Sequence, residues 1–214
     1  MSELKVSEIF LSIQGEGGAA GLPCVIVRLA GCNLRCDWCD TAYAQQGGQA
    51  MGIEKILARV EQFPCRRVEV TGGEPLLQPA ALELLTALCD RGRTVLLETN
   101  GSQDISAVDS RVVKIVDFKC PSSGQQDANR WSNVAALAPR DEVKFVLADR
   151  ADYDYAKEKL AACNLRGRCT VIFSPVFGRL DSAELARWIL ADGLDVRLGL
   201  QLHKIIWPGR DRGV

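Results

Sequence analysis

The chain has 214 residues, 47% of them apolar and 25% charged, which suits one globular domain and excludes disordered and collagen-like classes. A chain this long buries about 70% of its unfolded surface, so it needs no disulfide or metal staple to fold. Its 26 Lys and Arg against 27 Asp and Glu leave no basic excess, which argues against a nucleic-acid-coating surface but permits a small anionic substrate held by one or two arginines.

From the N-terminus, residues 6–14 read as an extra strand or an ordered arm. Short runs rich in Val, Ile and Leu then follow at residues 25–29, 67–70, 94–98, 112–118, 142–147, 170–173 and 196–202, and each has the length and composition of a strand. Helical patterns lie between most of them, at residues 52–62, 79–90, 132–137, 152–163 and 181–191. In the second, Glu83, Leu84, Leu85 and Leu88 show the i, i+3, i+4 spacing of a half-buried helix. In the last, Asp181 ahead of Ser182 and Glu184 is a helix start signal. Alternation of short apolar strands with helices of 10–12 residues means βαβ units and a parallel sheet. Six or seven units are too few for a closed eight-unit barrel, so a partial, incomplete parallel β/α barrel of six to seven strands is predicted. Active sites of such folds gather at the C-terminal strand ends. No repeat or low-complexity linker divides the chain. A single domain over residues 1–214 is expected, with an N-terminal arm around residues 6–20.

No apolar run approaches the roughly 20 residues of a membrane span, and the first residues lack a signal-peptide pattern. A cytoplasmic protein with no membrane or nucleic-acid partner is the expectation. Its nine cysteines are then no disulfide framework. They bunch once, in Cys32-Asn33-Leu34-Arg35-Cys36-Asp37-Trp38-Cys39, at C-x3-C-x2-C spacing right after the first strand. Three thiols at this pitch can hold three irons of one cubane and leave the fourth open to a ligand. A structural zinc site normally needs four protein ligands, and the single histidine, His203, lies far along the chain. Cys24, Cys65, Cys89, Cys120, Cys163 and Cys169 scatter and read as packing residues. A second motif, Thr71-Gly72-Gly73-Glu74-Pro75, ends the next strand; its glycines admit close approach of backbone to a ligand, and Glu74 can take a cationic group.

Cys32, Cys36 and Cys39 with Trp38 resemble the signature loop of the radical S-adenosylmethionine (SAM) enzymes. Five further stretches resemble one family within it, 7-carboxy-7-deazaguanine synthase. They are the arm Phe10-Leu11-Ser12-Ile13-Gln14-Gly15-Glu16-Gly17, the run Cys32–Thr41 with its Cys39-Asp40-Thr41 ending, Leu97-Glu98-Thr99-Asn100-Gly101, the shorter Asp117-Phe118-Lys119-Cys120-Pro121-Ser122-Ser123, and Leu200-Gln201-Leu202-His203-Lys204. The resemblance implies a lyase with a [4Fe-4S] cluster, SAM used catalytically, and Mg2+. It would contract 6-carboxy-5,6,7,8-tetrahydropterin to 7-carboxy-7-deazaguanine with loss of ammonia, a precursor of queuosine. SAM's methionine end would chelate the open iron, and a 5′-deoxyadenosyl radical would abstract hydrogen from C6 of the pterin. A flavodoxin or ferredoxin as electron donor and a homodimer are implied in the same way.

The residue chemistry can be set beside those roles. A 2-amino-4-oxo pyrimidine edge can be read by a carboxylate and an amide, so Gln14 and Glu16 are candidates, with the backbone of Ile13 and Gly15 close by. A glycine-rich surface loop is the other reading of that arm. Arg28 can hold the pterin carboxylate by a two-point fork, or point outward, because strand faces alternate. Thr41 binds Mg2+ by resemblance, or caps the next turn. Thr99 and His203 are implied substrate contacts. Trp38, Cys39, Asp40, Gly73, Glu74, Gly101, Lys119 and Ser122 are implied SAM contacts, and Glu98 stays open. His203, at the end of the last predicted strand, is either a substrate contact or a satisfied hydrogen-bonding residue. The chain runs on past His203-Lys204 to Val214, whereas some relatives end soon after that pair, so a role for a terminal carboxylate is left in doubt. Two rival readings remain, an activase that makes a glycyl radical on a partner protein and a zinc-stabilised binding module.

Overall fold

Strands that read Val-Glu-Val, Val-Asp-Phe and Val-Lys-Phe send alternate side chains to opposite faces, so one face is apolar and the other carries charge. In the computed structural model, which describes residues 2–214, both faces are covered. The sheet has nine strands: β1 (Glu3–Ile13), β2 (Pro23–Leu29), β3 (Gln49–Gly52), β4 (Arg67–Gly72), β5 (Thr94–Thr99), β6 (Val113–Phe118), β7 (Glu142–Leu147), β8 (Thr170–Pro175) and β9 (Arg197–Leu198). Their order is β3-β1-β2-β4-β5-β6-β7-β8-β9, an open arc. From β2 onward seven strands run parallel through six pairings, while β1 pairs antiparallel with β2 and with β3. The six or seven parallel units of the sequence reading are therefore present, and β1 and β3 extend the sheet beyond them. The arm expected at residues 6–14 is β1.

Five helices complete the fold: α1 (Ile53–Glu61), α2 (Ala80–Asp90), α3 (Arg150–Ala162), α4 (Ser182–Ala191) and α5 (Leu202–Ile206). None of them is long and apolar enough to cross a membrane. Asp181 caps α4 as expected, its carboxylate accepting from the backbone N–H of Ala183 at 2.8 Å and of Glu184 at 3.0 Å. Two expectations change. The segment predicted as a helix over residues 132–137 is a 3-10 turn (Trp131–Ala136), closed by the tighter i to i+3 bonding of such short connectors. The strand expected at residues 196–202 shrinks to β9, and the chain then turns into α5, so His203 stands on a short helix rather than at a strand end.

The helix-facing set is Val25, Val27 and Leu29 on β2, Val68 and Val70 on β4, Val95 and Leu97 on β5, Val116 and Phe118 on β6, Val143, Phe145 and Leu147 on β7, and Val171 and Phe173 on β8. These pack against Ile56, Leu57 and Val60 of α1, Leu84, Leu85 and Leu88 of α2, Tyr153 and Leu160 of α3, and Leu185 and Ile189 of α4 in one continuous core. Phe118, Phe145 and Phe173 run through it, with ring centroids 6.2 and 5.8 Å apart. The intervening residues, Arg28, Glu69, Thr71, Glu98, Asp117 and Lys144, face the concave side. Strand pairing sets Arg28 beside Thr71 and Asp117 beside Lys144.

Candidate active site

That concave face encloses a cavity of about 440 Å³, within the size range of small-molecule sites. Cys32, Cys36 and Cys39 all line it. They follow β2 directly, and the Gly72-Gly73-Glu74 turn at the end of β4 holds them there. Gly73 N–H donates to Leu29 O at 3.2 Å, and Glu74 N–H to Gly31 O at 2.7 Å. A Cβ on Gly73 would lie 2.2 Å from Gly31 O and 2.8 Å from Cys32 Cβ, so the two motifs meet only because this residue is glycine.

The three thiols fit a cluster. All are free and half-buried, and no other cysteine lines the cavity among the described residues. Cys32 Sγ accepts from Leu34 N–H at 3.4 Å and from the Asn100 side-chain amide at 3.9 Å, the kind of contact that tunes a ligating sulfur. Burial pushes the Cys36 thiol up to about 11, against the pull of the Lys119 ammonium; iron supplies the positive charge that a ligating thiolate needs. Cys65, Cys89, Cys120, Cys163 and Cys169 lie in or against the packed core and Cys24 is fully buried on β2, as read from their scatter.

On the substrate side the structure gathers Ile13, Gln14, Gly15, Glu16, Arg28, Thr99 and His203 around the same cavity. Arg28 faces inward, 14% exposed, with Nε bound to Glu8 at 2.8 Å and the Tyr43 hydroxyl donating to the same carboxylate at 2.6 Å. Anchoring Nε leaves the two Nη groups as its free fork. His203 reaches the cavity because Leu202 N–H donates to Gly15 O at 2.9 Å and the imidazole packs where a Cβ on Gly15 would be, 2.2 Å from Nδ1. Glu16 binds Lys144 Nζ at 2.7 Å and accepts from Gln201 at 2.9 Å. The C-terminal segment folds back: Arg212 stacks 4.4 Å above the Tyr43 ring and Val214 lines the cavity, which brings to the site a stretch whose role was in doubt.

Of the expected SAM contacts, Trp38, Cys39, Asp40, Gly73 and Lys119 line the cavity. Lys119 Nζ lies 5.6 Å from the Trp38 ring centre and 3.0 Å from Asp117. Glu74, Gly101 and Ser122 do not reach the wall. The Glu74 carboxylate is fully buried and accepts from the Thr99 hydroxyl at 2.9 Å, Asn100 N–H at 2.6 Å and Leu76 N–H at 2.9 Å. These three donors let it brace the turn. Gly101, at φ 75°, packs under the Phe118 ring, and Ser122 stands behind Trp38, whose indole N–H donates to its hydroxyl at 3.2 Å. Thr41 lines the mouth, its hydroxyl donating to Asp40 at 2.9 Å. One ligand atom each of Glu16, Asp40 and His203 also falls within a single 4.8 Å group there, a donor set open to a hard cation.

Sequence reasoning missed Glu69, Asp117, Lys144 and Gln201, and left Glu98 open; all five line the cavity. Lys144, 5% exposed, binds Glu16, Glu98 and, at 3.5 Å, Asp117. Burial works against its charge, yet the carboxylates of Glu16, Glu98 and Asp117 hold it well above the ordinary lysine value. Glu98 is held low, its burial outweighed by the Lys144 charge. The available signal was a charge framed by apolar residues in a short strand, as in Val68-Glu69-Val70 and Val143-Lys144-Phe145.

Comparison with known proteins agrees with this architecture. The family model of the radical SAM superfamily matches residues 26–189. A 7-carboxy-7-deazaguanine synthase of Chlorobaculum tepidum is 52% identical over 214 residues, covering 99% of this chain and 97% of its own length. One of the same name from Koribacter versatilis is 45% identical, covering 99% of this chain and 100% of itself. The crystal structure of QueE from Escherichia coli superposes with a TM-score of 0.76 at 23% identity, over 93% of this chain and 94% of that one. SuiB of Streptococcus suis, crystallised with S-adenosylmethionine, gives 0.55 at 13% identity, over 78% of this chain and 44% of that one. The two structures speak for the fold.

Proposed function

The chain belongs to the 7-carboxy-7-deazaguanine synthases of the radical SAM superfamily, and on that premise we propose that its cavity binds 6-carboxy-5,6,7,8-tetrahydropterin and contracts it to 7-carboxy-7-deazaguanine with loss of ammonia. The observation that carries this reading is the meeting of three half-buried thiols and an inward, anchored arginine in one small cavity. When bound through Cys32, Cys36 and Cys39, the cluster and SAM supply a 5′-deoxyadenosyl radical.

The chain's own residues bind, orient and exclude. Arg28 holds the substrate carboxylate with its free fork while Glu8 and Tyr43 fix its Nε. Gln14, with the backbone of Ile13 and Gly15, takes the ring edge, and His203 and Thr99 close on it from the tail and from β5. Trp38, Asp40 and Gly73 offer backbone to SAM, and Lys119 offers its ammonium. Thr41, with the oxygen donors of Asp40 and Glu16 near it, would hold Mg2+, whose share is to neutralise the carboxylate end of the substrate. A reductant such as a flavodoxin or ferredoxin, a homodimer and a cytoplasmic location complete the reading, by likeness to the family. A glycyl-radical activase has no use for an enclosed cavity with a buried arginine fork, and among the described residues the three cysteines belong to no close metal-ligand group of the kind a zinc module needs.

The test is anaerobic incubation of reconstituted protein with SAM, a reductant and the carboxytetrahydropterin. A deazapurine chromophore should appear while SAM is recovered intact. SAM cleavage only in the presence of a partner polypeptide would instead identify an activase.

A further inference from the structure

Glu69 is a cavity carboxyl with no cation paired to it among the described residues. It sits on β4, 4% exposed, and lines the cavity one strand step below Thr71. Among the described residues it makes one hydrogen bond, in which the Gln14 side-chain amide donates to Oε2. Of the other buried carboxyls, Glu74, Asp141 and Asp152 are saturated, Glu142 accepts from Gly18 N–H, and Asp117 holds Lys119 and Lys144 through Oδ2 while its Oδ1 has no partner among the described residues. Glu74 takes three donors; Asp141 takes Lys114 N–H at 2.9 Å, Ala138 N–H at 2.8 Å and the Lys114 ammonium at 2.8 Å. Asp152 accepts from Ser122 N–H at 2.9 Å, Ala148 N–H at 2.8 Å and the Ser122 hydroxyl. A buried polar group left short of partners destabilises the fold, so a carboxyl kept in that state beside a cavity points to a ligand that completes it.

The charged groups facing Glu69 are Glu98 from β5, Lys144 from β7, Arg28 from β2 and Glu16 from the arm. Lys144 is committed to Glu16, Glu98 and Asp117, and Arg28 to Glu8. Among the described residues neither cation forms an ion pair with Glu69. Burial, then the Glu98 charge, pushes it up to about 8, so it is mainly neutral at pH 7. With its carbonyl oxygen occupied by Gln14, the neutral group has an O–H to give.

We propose that Glu69 is a substrate-contacting residue, whose O–H, set in place by Gln14, donates to the 4-carbonyl of the pterin ring. This rests on the ring-contraction reading. Of the acceptors on that substrate, the carboxylate goes to Arg28, and the ring carbonyl is the strong acceptor remaining. Gln14 thereby reads the ring jointly with Glu69, whereas Glu16, the carboxylate expected to share that task, is engaged by Lys144 and Gln201.

The test uses reconstituted holoprotein and the fluorescent oxidised analogue 6-carboxypterin, with Kd read from fluorescence and turnover of the tetrahydropterin followed separately. Glu69→Leu should weaken analogue binding about 10- to 100-fold, with the cluster absorbance and SAM affinity unchanged. Glu69→Gln, a neutral isostere that keeps a donor edge and a carbonyl, should restore most of that affinity; a folded, cluster-loaded Gln variant keeps the test decisive if the Leu variant misfolds. Unchanged binding in Glu69→Leu would overturn the proposal, and so would Glu69→Gln binding as poorly as Leu, which would mean that a negative charge is used. Failure of the wild type to turn over the tetrahydropterin while binding the analogue counts against the reaction alone. Failure to bind the analogue counts against both.

Discussion

Lys144→Met removes the one cation shared by Glu16, Glu98 and Asp117 on the concave face. The substitution is close in volume, so packing is kept and the loss is electrostatic. Breaking a buried ion pair from one side costs about 3–5 kcal/mol, because the remaining charge has neither water nor partner. For a chain of this size each kcal/mol is worth about 2–4 °C in Tm, so a drop of about 6–20 °C is expected at pH 8. The defect depends on pH in a fixed direction. In the native wild type, Glu98 is held below its ordinary value, which contributes stability above the unfolded value and is lost as pH falls through the lowered one. Without Lys144, burial drives Glu98 to take up a proton instead. The unfolded chain ionises this carboxyl above about pH 4.3, so the penalty grows toward pH 8 by up to about 1.4 kcal/mol per unit. Thermal unfolding of cluster-loaded protein without oxygen, at pH 5, 6.5 and 8, reads this directly. A drop under about 3 °C throughout, or a larger one at pH 5 than at pH 8, would refute the charge assignment.

Arg28→Lys keeps the charge but loses the fork and the Nε anchor on Glu8, so KM for the pterin should rise about tenfold or more with SAM binding intact; an unchanged KM removes Arg28 from the substrate. Gly73→Ala forces a Cβ onto Gly31 O, so iron occupancy of the cysteine loop should fall, measured as iron per chain; full occupancy would show that the two motifs do not depend on close contact. Because Glu69 is raised above its unfolded value, its contribution to stability is complete below about pH 4.3 and is lost as pH rises toward about 8. Glu69→Gln lacks this term, so its Tm should gain on the wild type from pH 5 to pH 8, and a constant difference would contradict a neutral Glu69.

The parts of the site that ride on loops were legible in the sequence. The cysteine triplet and the Gly-Gly-Glu-Pro turn carry their chemistry in their spacing, and the parallel units followed from strand and helix alternation. What the spacing did not carry was facing. Arg28 was undecided between two faces until the register placed it beside Thr71, and Glu74, chemically suited to a cation, turns inward to brace its own turn. Glu69, Asp117 and Lys144 stand on three different strands, so their convergence is a property of sheet curvature that a linear reading does not hold. His203 was placed at a strand end because residues 196–202 form a short run rich in Val and Leu, yet only Arg197–Leu198 find a partner strand before the arm captures Leu202.

Iron and acid-labile sulfide counted on protein reconstituted without oxygen bear most directly on the whole account. About four of each per chain, falling below one when Cys32, Cys36 or Cys39 is changed to Ala, is the expected result. Stoichiometric zinc without labile sulfide in the wild type would contradict it.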